Sequence, residues 1–252
     1  MLKPNIIAQG AEAIIIHEGN SIIKDRVSKK YRHPELDNKI IKQRTKKEAK
    51  LLEKVAKLIP CPLPSKVDFN KIVMPFIDGK KLSENLEKLD YKNICKIIGN
   101  QIAKIHDNNI IHGDLTTSNM IYVENSPKKS KESSNKSKQL NPLQPDSLTI
   151  NKKLKREGEL VQLSSSSSSS TDFPYPRLYF LDFGLGFTSA RIEDRAVDLH
   201  LIKQALEAKH FSIYKEAEKI ILDNYNSKAR IKVLDQLKKV EARGRYRKNV
   251  EG

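Results

Sequence analysis

The sequence predicts an α+β chain of two lobes, a β-rich first lobe carrying one long helix and a compact, mainly helical second lobe. Three observations carry that expectation. Residues 5–24, NIIAQGAEAIIIHEGNSIIK, are β-branched runs broken by glycine turns. From about Asn38 to Leu58 the apolar residues switch to helical spacing. Farther on, a polar stretch at about 126–174 separates two strand-like runs, MIYVE and RLYFLDFGLG, after which helical patterns fill the remainder.

Each element has its local reason. Gly10 and the Gly19-Asn20 pair divide the opening segment into strand, turn and strand. In the following helix Ile41, Thr45, Ala49, Leu52 and Ala56 fall along one stripe with lysines on the other faces, and PCPLP at 60–64 is expected to end it because proline cannot continue a helix. KIVMPFIDGKKL reads as a strand, a turn at Asp78-Gly79 and a short helix. A second long helix runs from about Tyr91 to Asp107, with Ile94, Ile97, Ile98, Ile102 and Ile105 inward and Asn108-Asn109 closing it. Residues 126–174 are serine, lysine, asparagine and proline, ending near the run Ser164–Ser170. Such composition cannot bury enough apolar surface to offset chain entropy, so this segment is expected to be a disordered insert. Lying between two strands, it lengthens a hairpin loop, at an entropic cost that grows only logarithmically with length. The lobes are expected to span 1–78 and 79–252.

Composition narrows the function classes. Lys and Arg number 47 against 31 Asp and Glu, a formal charge of +16. The excess clusters in KDRVSKKYRHPELDNKIIKQRTKKEAKLLEK near the start and KARIKVLDQLKKVEARGRYRKN at the end, the footprint of a protein that meets polyanions. No aromatic stacking platform accompanies them, which argues against base-specific readout. No window holds the ~18 uninterrupted apolar residues of a membrane helix, so no membrane partner is expected. The start, MLKPNIIAQG, lacks the layout of a secretory signal. Cys61 and Cys95, far apart and without a CxxC, read as reduced packing residues of an intracellular protein.

The chemistry concentrates in IIHGDLTTSNMIYV, Ile110 to Val123, where Asp114 and Asn119 lie in a stretch too irregular for a helix. A phosphoryl-transfer site needs carboxyl or amide groups for Mg²⁺, a cation for the phosphates and an acid to orient the attacking oxygen. Asp182 stands between a buried-type strand and a glycine turn, Lys24 ends the apolar strand SIIK, and Glu48 lies on the next helix, placed to pair with it. Taken singly, each has an ordinary alternative: a turn residue, a strand-end charge, a helix surface acid. Together and in this order they point to a nucleotide cleft.

The segments AQGAEA, KYRHPELD, RTKKEAKLL, HGDLTTSNM, LDFGLG and EDRAVDLH resemble the small atypical kinase/ATPase subunit of the KEOPS (EKC) complex, the PRPK-like family, over both lobes. The resemblance implies a protein-kinase-like fold with ATP and Mg²⁺ as cofactors. It implies that Lys24 contacts the α/β-phosphates and pairs with Glu48, that Asp114 is the catalytic acid/base, and that Asn119 and Asp182 bind Mg²⁺. Gln9, Gly10, Ala11, Glu12 and Ala13 would cover the nucleotide, and Met74, Pro75, Phe76 and Ile77, on to Asp78, would form the adenine hinge. Asp198 would brace the catalytic loop and His112 would support it. The basic tail, Arg243, Arg245, Arg247 and Lys248, would contact tRNA. The implied partners are the catalytic tRNA-threonylcarbamoyl transferase subunit and small regulatory subunits of KEOPS/EKC, in the cytoplasm and nucleus, and the implied role is ATP hydrolysis supporting N6-threonylcarbamoyladenosine formation on ANN-decoding tRNAs.

Departures from ordinary protein kinases shape the expected mechanism. The nucleotide loop has one glycine, Gly10, where G-x-G-x-x-G has three. Gly113 precedes Asp114 in place of the arginine that reads a phosphorylated activation loop, so switching of that kind is not expected. Thr116 stands where serine/threonine kinases carry lysine, and too few residues separate Asp182 from Asp198 for a long activation segment. ATP hydrolysis is therefore expected to dominate over protein phosphorylation. A small-molecule phosphotransferase of the aminoglycoside or choline kinase type shares HGDLxxxN but has no place for YRHPELD. A non-enzymatic scaffold would have no need of the full Lys-Glu-Asp-Asn-Asp set.

Overall fold

The structure, a computed structural model, describes residues 5–10, 12–124 and 176–248, with side chains as far as residue 243. Ala11 and the expected insert at 126–174 lie outside the described residues.

The first lobe is an antiparallel sheet of β1 (Asn5–Gln9), β2 (Ala13–Glu18), β3 (Ser21–Arg26), β4 (Lys66–Val67) and β5 (Lys71–Pro75), in the order β1-β2-β3-β5-β4. Gly19, at φ 56°, makes the turn between β2 and β3 in the left-handed region that favours glycine. Successive strand residues face opposite sides of a sheet, so Lys24 and Arg26 of β3 share a face, and both are buried.

Helix α1 (Pro34–Val55) departs from its expected bounds at both ends. It begins about a turn earlier, because Pro34 at its first position is pre-set for helical φ and Glu35 and Asp37 favour the positive end of the helix dipole. Asp37 is buried and accepts from the Ser28 hydroxyl at 2.7 Å, the Lys29 amide at 3.0 Å and Arg32 at 3.2 Å. These bonds, the Ser28 one foremost, hold its carboxyl below the usual range. It is the sequence's YRHPELD motif that tethers the helix start. At the other end the helix stops before proline is reached. The amides of Leu58 and Ile59 both donate to the Val55 carbonyl, tightening a final turn that buries Ile59.

The predicted stripe of Ile41, Thr45, Ala49 and Leu52 is buried, and Leu51, Leu52 and Val55 enter the main core together with Ile94, Ile98, Ile102 and Ile105. Those isoleucines belong to α3 (Tyr91–Asp107), whose ends match the sequence expectation. The Asp90 side chain accepts the Asn93 amide at 3.1 Å as the cap, and Asn109, at φ 58°, turns the chain out. Ile97 is half-buried and packs against the same core. Before α3 come β6 (Lys80–Lys81) and α2 (Leu82–Asn85); after it come β7 (Ile110–Ile111), β8 (Met120–Val123), β9 (Arg177–Phe180) and β10 (Phe187–Thr188). β8 pairs antiparallel with β9, from Met120 opposite Phe180 to Val123 opposite Arg177. The two strand-like runs that flank residues 126–174 in the sequence are thus antiparallel partners. α4 (Ile192–Lys209), α5 (Tyr214–Asp223) and α6 (Arg230–Lys248) complete the second lobe.

No helix among the described residues is long and apolar enough to cross a membrane. Cys61 and Cys95 are unpaired and buried, and burial pushes both thiols up to about 12. Since the thiolate is the reactive form, neither should be alkylated by iodoacetamide at pH 8 in the folded protein, and both should be after denaturation. Mass spectrometry before and after guanidinium treatment checks this; a native adduct on either cysteine would show that its site opens to solvent.

Candidate active site

The strand that brings Lys24 in, the helix that brings Glu48 and the turn that brings Asp182 converge on one point. Lys24 Nζ donates to Glu48 Oε1 at 2.8 Å and to Asp182 Oδ1 at 2.6 Å. Glu48, which its sequence position alone marks as a helix surface acid, is 2% exposed. Its second oxygen accepts from Arg26 at 2.6 Å, so one buried carboxylate is shared by two cations. Sequence reading missed Arg26. The signal was present in strand alternation, which puts it on the same face as Lys24 two residues earlier.

Arg26 continues the chain of charges outward. It also reaches Glu12 at 3.4 Å, and Glu12 is bonded to Arg44 of α1. That Arg44 bond outweighs partial burial and holds the Glu12 carboxyl below its usual range. Glu12 therefore points along this ion network rather than over the cleft.

Asp182 sits at φ 55°, a left-handed conformation uncommon for a residue with a side chain. Burial alone would push its carboxyl up, but the charge and hydrogen bond of Lys24, with the Gly184 amide at 3.0 Å, bring it below the usual carboxylate range. It is thus ionised, as a cation ligand must be.

The catalytic-loop segment is held from below. Asp198 of α4 accepts from the His112 amide at 2.7 Å and the Gly113 amide at 2.9 Å, and lies 3.2 Å from His106 Nε2. Gly113 is at φ 79°, and a β-carbon there would stand 2.5 Å from the Leu185 carbonyl oxygen, so only glycine fits. His112 is fully buried; burial lowers its basicity and keeps the imidazole neutral, against the pull of Asp198. Its Nε2–H donates to the Leu181 carbonyl at 3.0 Å, leaving Nδ1 to accept the Asp114 amide at 3.3 Å. His112 therefore ties the Asp114 loop to the strand leading into Asp182. Two further buried histidines escaped the sequence reading. His106 links Asp198 to the Tyr225 hydroxyl at 2.9 Å, and His210 links Thr117 at 3.1 Å to Glu87 at 2.8 Å. Only the folded structure supplies the partners, from helices far off in sequence.

Asn119 donates its Nδ2 to both the carbonyl and the carboxylate of Asp114, each at 2.9 Å. Its Oδ1 has no partner among the described residues, which leaves that oxygen available as a ligand. Asn119 and Asp182 line a cavity of about 340 Å³ together with Lys24 and Glu48. Ile15, Ile22, Leu52, Ile121 and Leu181 give it apolar walls, and Met74, Pro75, Phe76 and Ile77 form one side. His17 of β2 stacks behind Phe76 with ring centroids 4.3 Å apart.

Not every expected residue is there. Gln9, Gly10, Glu12 and Ala13 are not among the cavity's lining residues; Ile7 and Ala8 of β1 line it instead. The Gly10 amide donates to the Ala13 carbonyl at 2.9 Å. Asp114 does not line the cavity itself and reaches it through Asn119. The tail continues as α6 as far as Lys248, and Arg243 is paired with Glu193 at 2.6 Å, so it is not a free cation. The side chains of Arg245, Arg247 and Lys248 lie outside the described residues. Among the described residues no three His, Cys, Asp or Glu side chains gather as a metal site. The two oxygen ligands suit Mg²⁺, which typically takes one or two protein groups and completes its shell with phosphates and water.

Comparison with known proteins adds identity to this geometry. The RIO domain family matches residues 18–128. The chain is 32% identical to the KEOPS complex subunit Bud32 of Pyrococcus abyssi, over 96% of each chain. It is 34% identical to the EKC/KEOPS complex subunit bud32 of Dictyostelium discoideum, over 95% of this chain and 82% of that one. It is also 34% identical to a probable bifunctional tRNA threonylcarbamoyladenosine biosynthesis protein of Methanobrevibacter smithii, where 97% of this chain spans 37% of the relative. Among solved structures, the Rio2 kinase of Chaetomium thermophilum in its ADP/Mg²⁺-phosphoaspartate complex aligns with a TM-score of 0.53 at 14% identity, over 95% of this chain and 70% of that one. WaaP in complex with acyl carrier protein aligns at 0.54 and 9% identity, over 97% and 89%. At such identities these two speak for the kinase-like α+β fold alone.

Proposed function

The chain belongs to the Bud32 family of KEOPS complex subunits, and from that membership and the geometry of the cleft we propose that it is an atypical kinase/ATPase that hydrolyses Mg-ATP in support of tRNA threonylcarbamoyladenosine formation by a partner subunit. The observation that carries the reading is Lys24, held between buried Glu48 and ionised Asp182 at the wall of a 340 Å³ cavity. A lysine so placed can turn to the α/β-phosphates without losing Glu48 as its anchor. Adenine would occupy the apolar part of the cavity, between Ile15, Ile22 and Leu181 and the Met74–Ile77 segment.

Asn119 and Asp182 would hold Mg²⁺, which when bound neutralises charge on the phosphates. Asp114, oriented by Asn119 Nδ2, would take the proton of an attacking water or hydroxyl. Ile7 and Ala8 supply an apolar lid edge where a kinase has a flexible glycine loop. Together with Gly113 and the short span from Asp182 to Asp198, this favours hydrolysis over transfer to protein hydroxyls. Partners would be the threonylcarbamoyl transferase subunit and small regulatory subunits, with tRNA on the basic surface.

Calorimetry with ATP and Mg²⁺, followed by ATP turnover with and without the transferase partner, tests the reading. Saturable Mg-dependent binding and turnover raised by the partner are expected. Absence of nucleotide binding would overturn the enzymatic assignment and leave a scaffold.

A further inference from the structure

The face of α1 turned away from the core carries Lys39, Lys42, Lys46, Lys50 and Lys54. All five are exposed, and none pairs with an acid among the described residues. At 1.5 Å per residue the row is about 22 Å long. Of the helix's acids, Asp37 and Glu48 are buried and engaged, leaving Glu53 as its single exposed acid beyond the first turn. Lys42–Lys46, Lys46–Lys50 and Lys50–Lys54 are successive like-charge neighbours one turn apart, an arrangement that destabilises a helix. Folding alone gives no reason for it. Some exposed or half-buried cations elsewhere do find carboxylates: Lys203 with Glu218, Lys219 with Asp223, Arg243 with Glu193.

We infer that this lysine row of α1 is a binding surface for the phosphate backbone of tRNA, separate from the C-terminal tail. The inference rests on the tRNA reading above and adds a location to it. An unpaired row of ammonium groups takes phosphates as point charges without reading bases. The row has no apolar side chain among its lysines to insert into a membrane.

The test measures binding of an unmodified tRNA transcript to the full chain over a series of salt concentrations. K42E/K46E should weaken binding at least tenfold at 0.1 M salt. It should also lower the slope of log K against log salt by about two, each phosphate contact contributing about 0.9. K96E/K104E on the exposed side of α3 makes the same change in net charge and should do neither. ATP turnover without RNA should be unchanged in both, which separates a failure here from a failure of the ATPase reading. Equal losses in the two variants would mean that only net charge matters, and unchanged binding in K42E/K46E would assign the row to another occupant such as an acidic protein. Either result overturns the inference.

Discussion

Replacing Asp114 with alanine should lower ATP turnover by about 10²- to 10⁴-fold, the range a positioned proton acceptor contributes. The thermal midpoint should move by no more than a few degrees. Among the described residues the side chain has one partner, Asn119 Nδ2, and that amide keeps its bond to the Asp114 carbonyl when the carboxylate is gone. Nothing in the core depends on it. The loss should therefore fall on kcat, with Mg-ATP affinity retained, because Lys24, Asn119 and Asp182 still line the cavity. Steady-state hydrolysis with calorimetric titration of the same variant makes the measurement. Hydrolysis undiminished in Asp114→Ala would remove this residue from the mechanism.

Asp198→Ala should be costly in a different way. The carboxylate is 1% exposed and receives two backbone amides and His106, so its removal strands three buried groups at once. Each unsatisfied buried donor costs about 1–3 kcal/mol, and these three share one site, so about 3–5 kcal/mol in total is expected. That is a large share of a typical stability of about 5–15 kcal/mol. Turnover should fall as well, because the His112–Gly113 backbone that presents Asp114 loses its anchor. Asp198→Asn keeps one acceptor oxygen and should lie between. Denaturant midpoints of the two variants decide it. Equal midpoints for Asp198→Ala and the parent would show that the loop is held from elsewhere.

How far the sequence could be read follows from what each element depends on. The bounds of α3 were legible because its isoleucine period, Asp90 cap and Asn109 exit are all local. The ends of α1 were not, since its start rests on tertiary bonds to Asp37 and its stop on burying Ile59. Lys24, Glu48, Asn119 and Asp182 could be expected at one cavity from residue type and order. Arg26 could have been found from strand alternation, but His106 and His210 could not, because their partners lie on elements distant in sequence. The family resemblance implied that Gln9, Gly10, Ala11, Glu12 and Ala13 cover the nucleotide. Of the described ones none lines the cavity, and Glu12 is held by Arg26 and Arg44 instead.

The close approach at Gly113 also closes off one kind of control. With a carbonyl oxygen 2.5 Å from where a β-carbon would stand, arginine does not fit at this position. The segment after Asp182 would first have to move aside, and that segment is fastened to the cleft by the Gly184 amide on Asp182 and by Phe183 packed on the His112 ring at 4.4 Å. A position closed in this way leaves no room for the arginine through which a phosphorylated neighbour would be read.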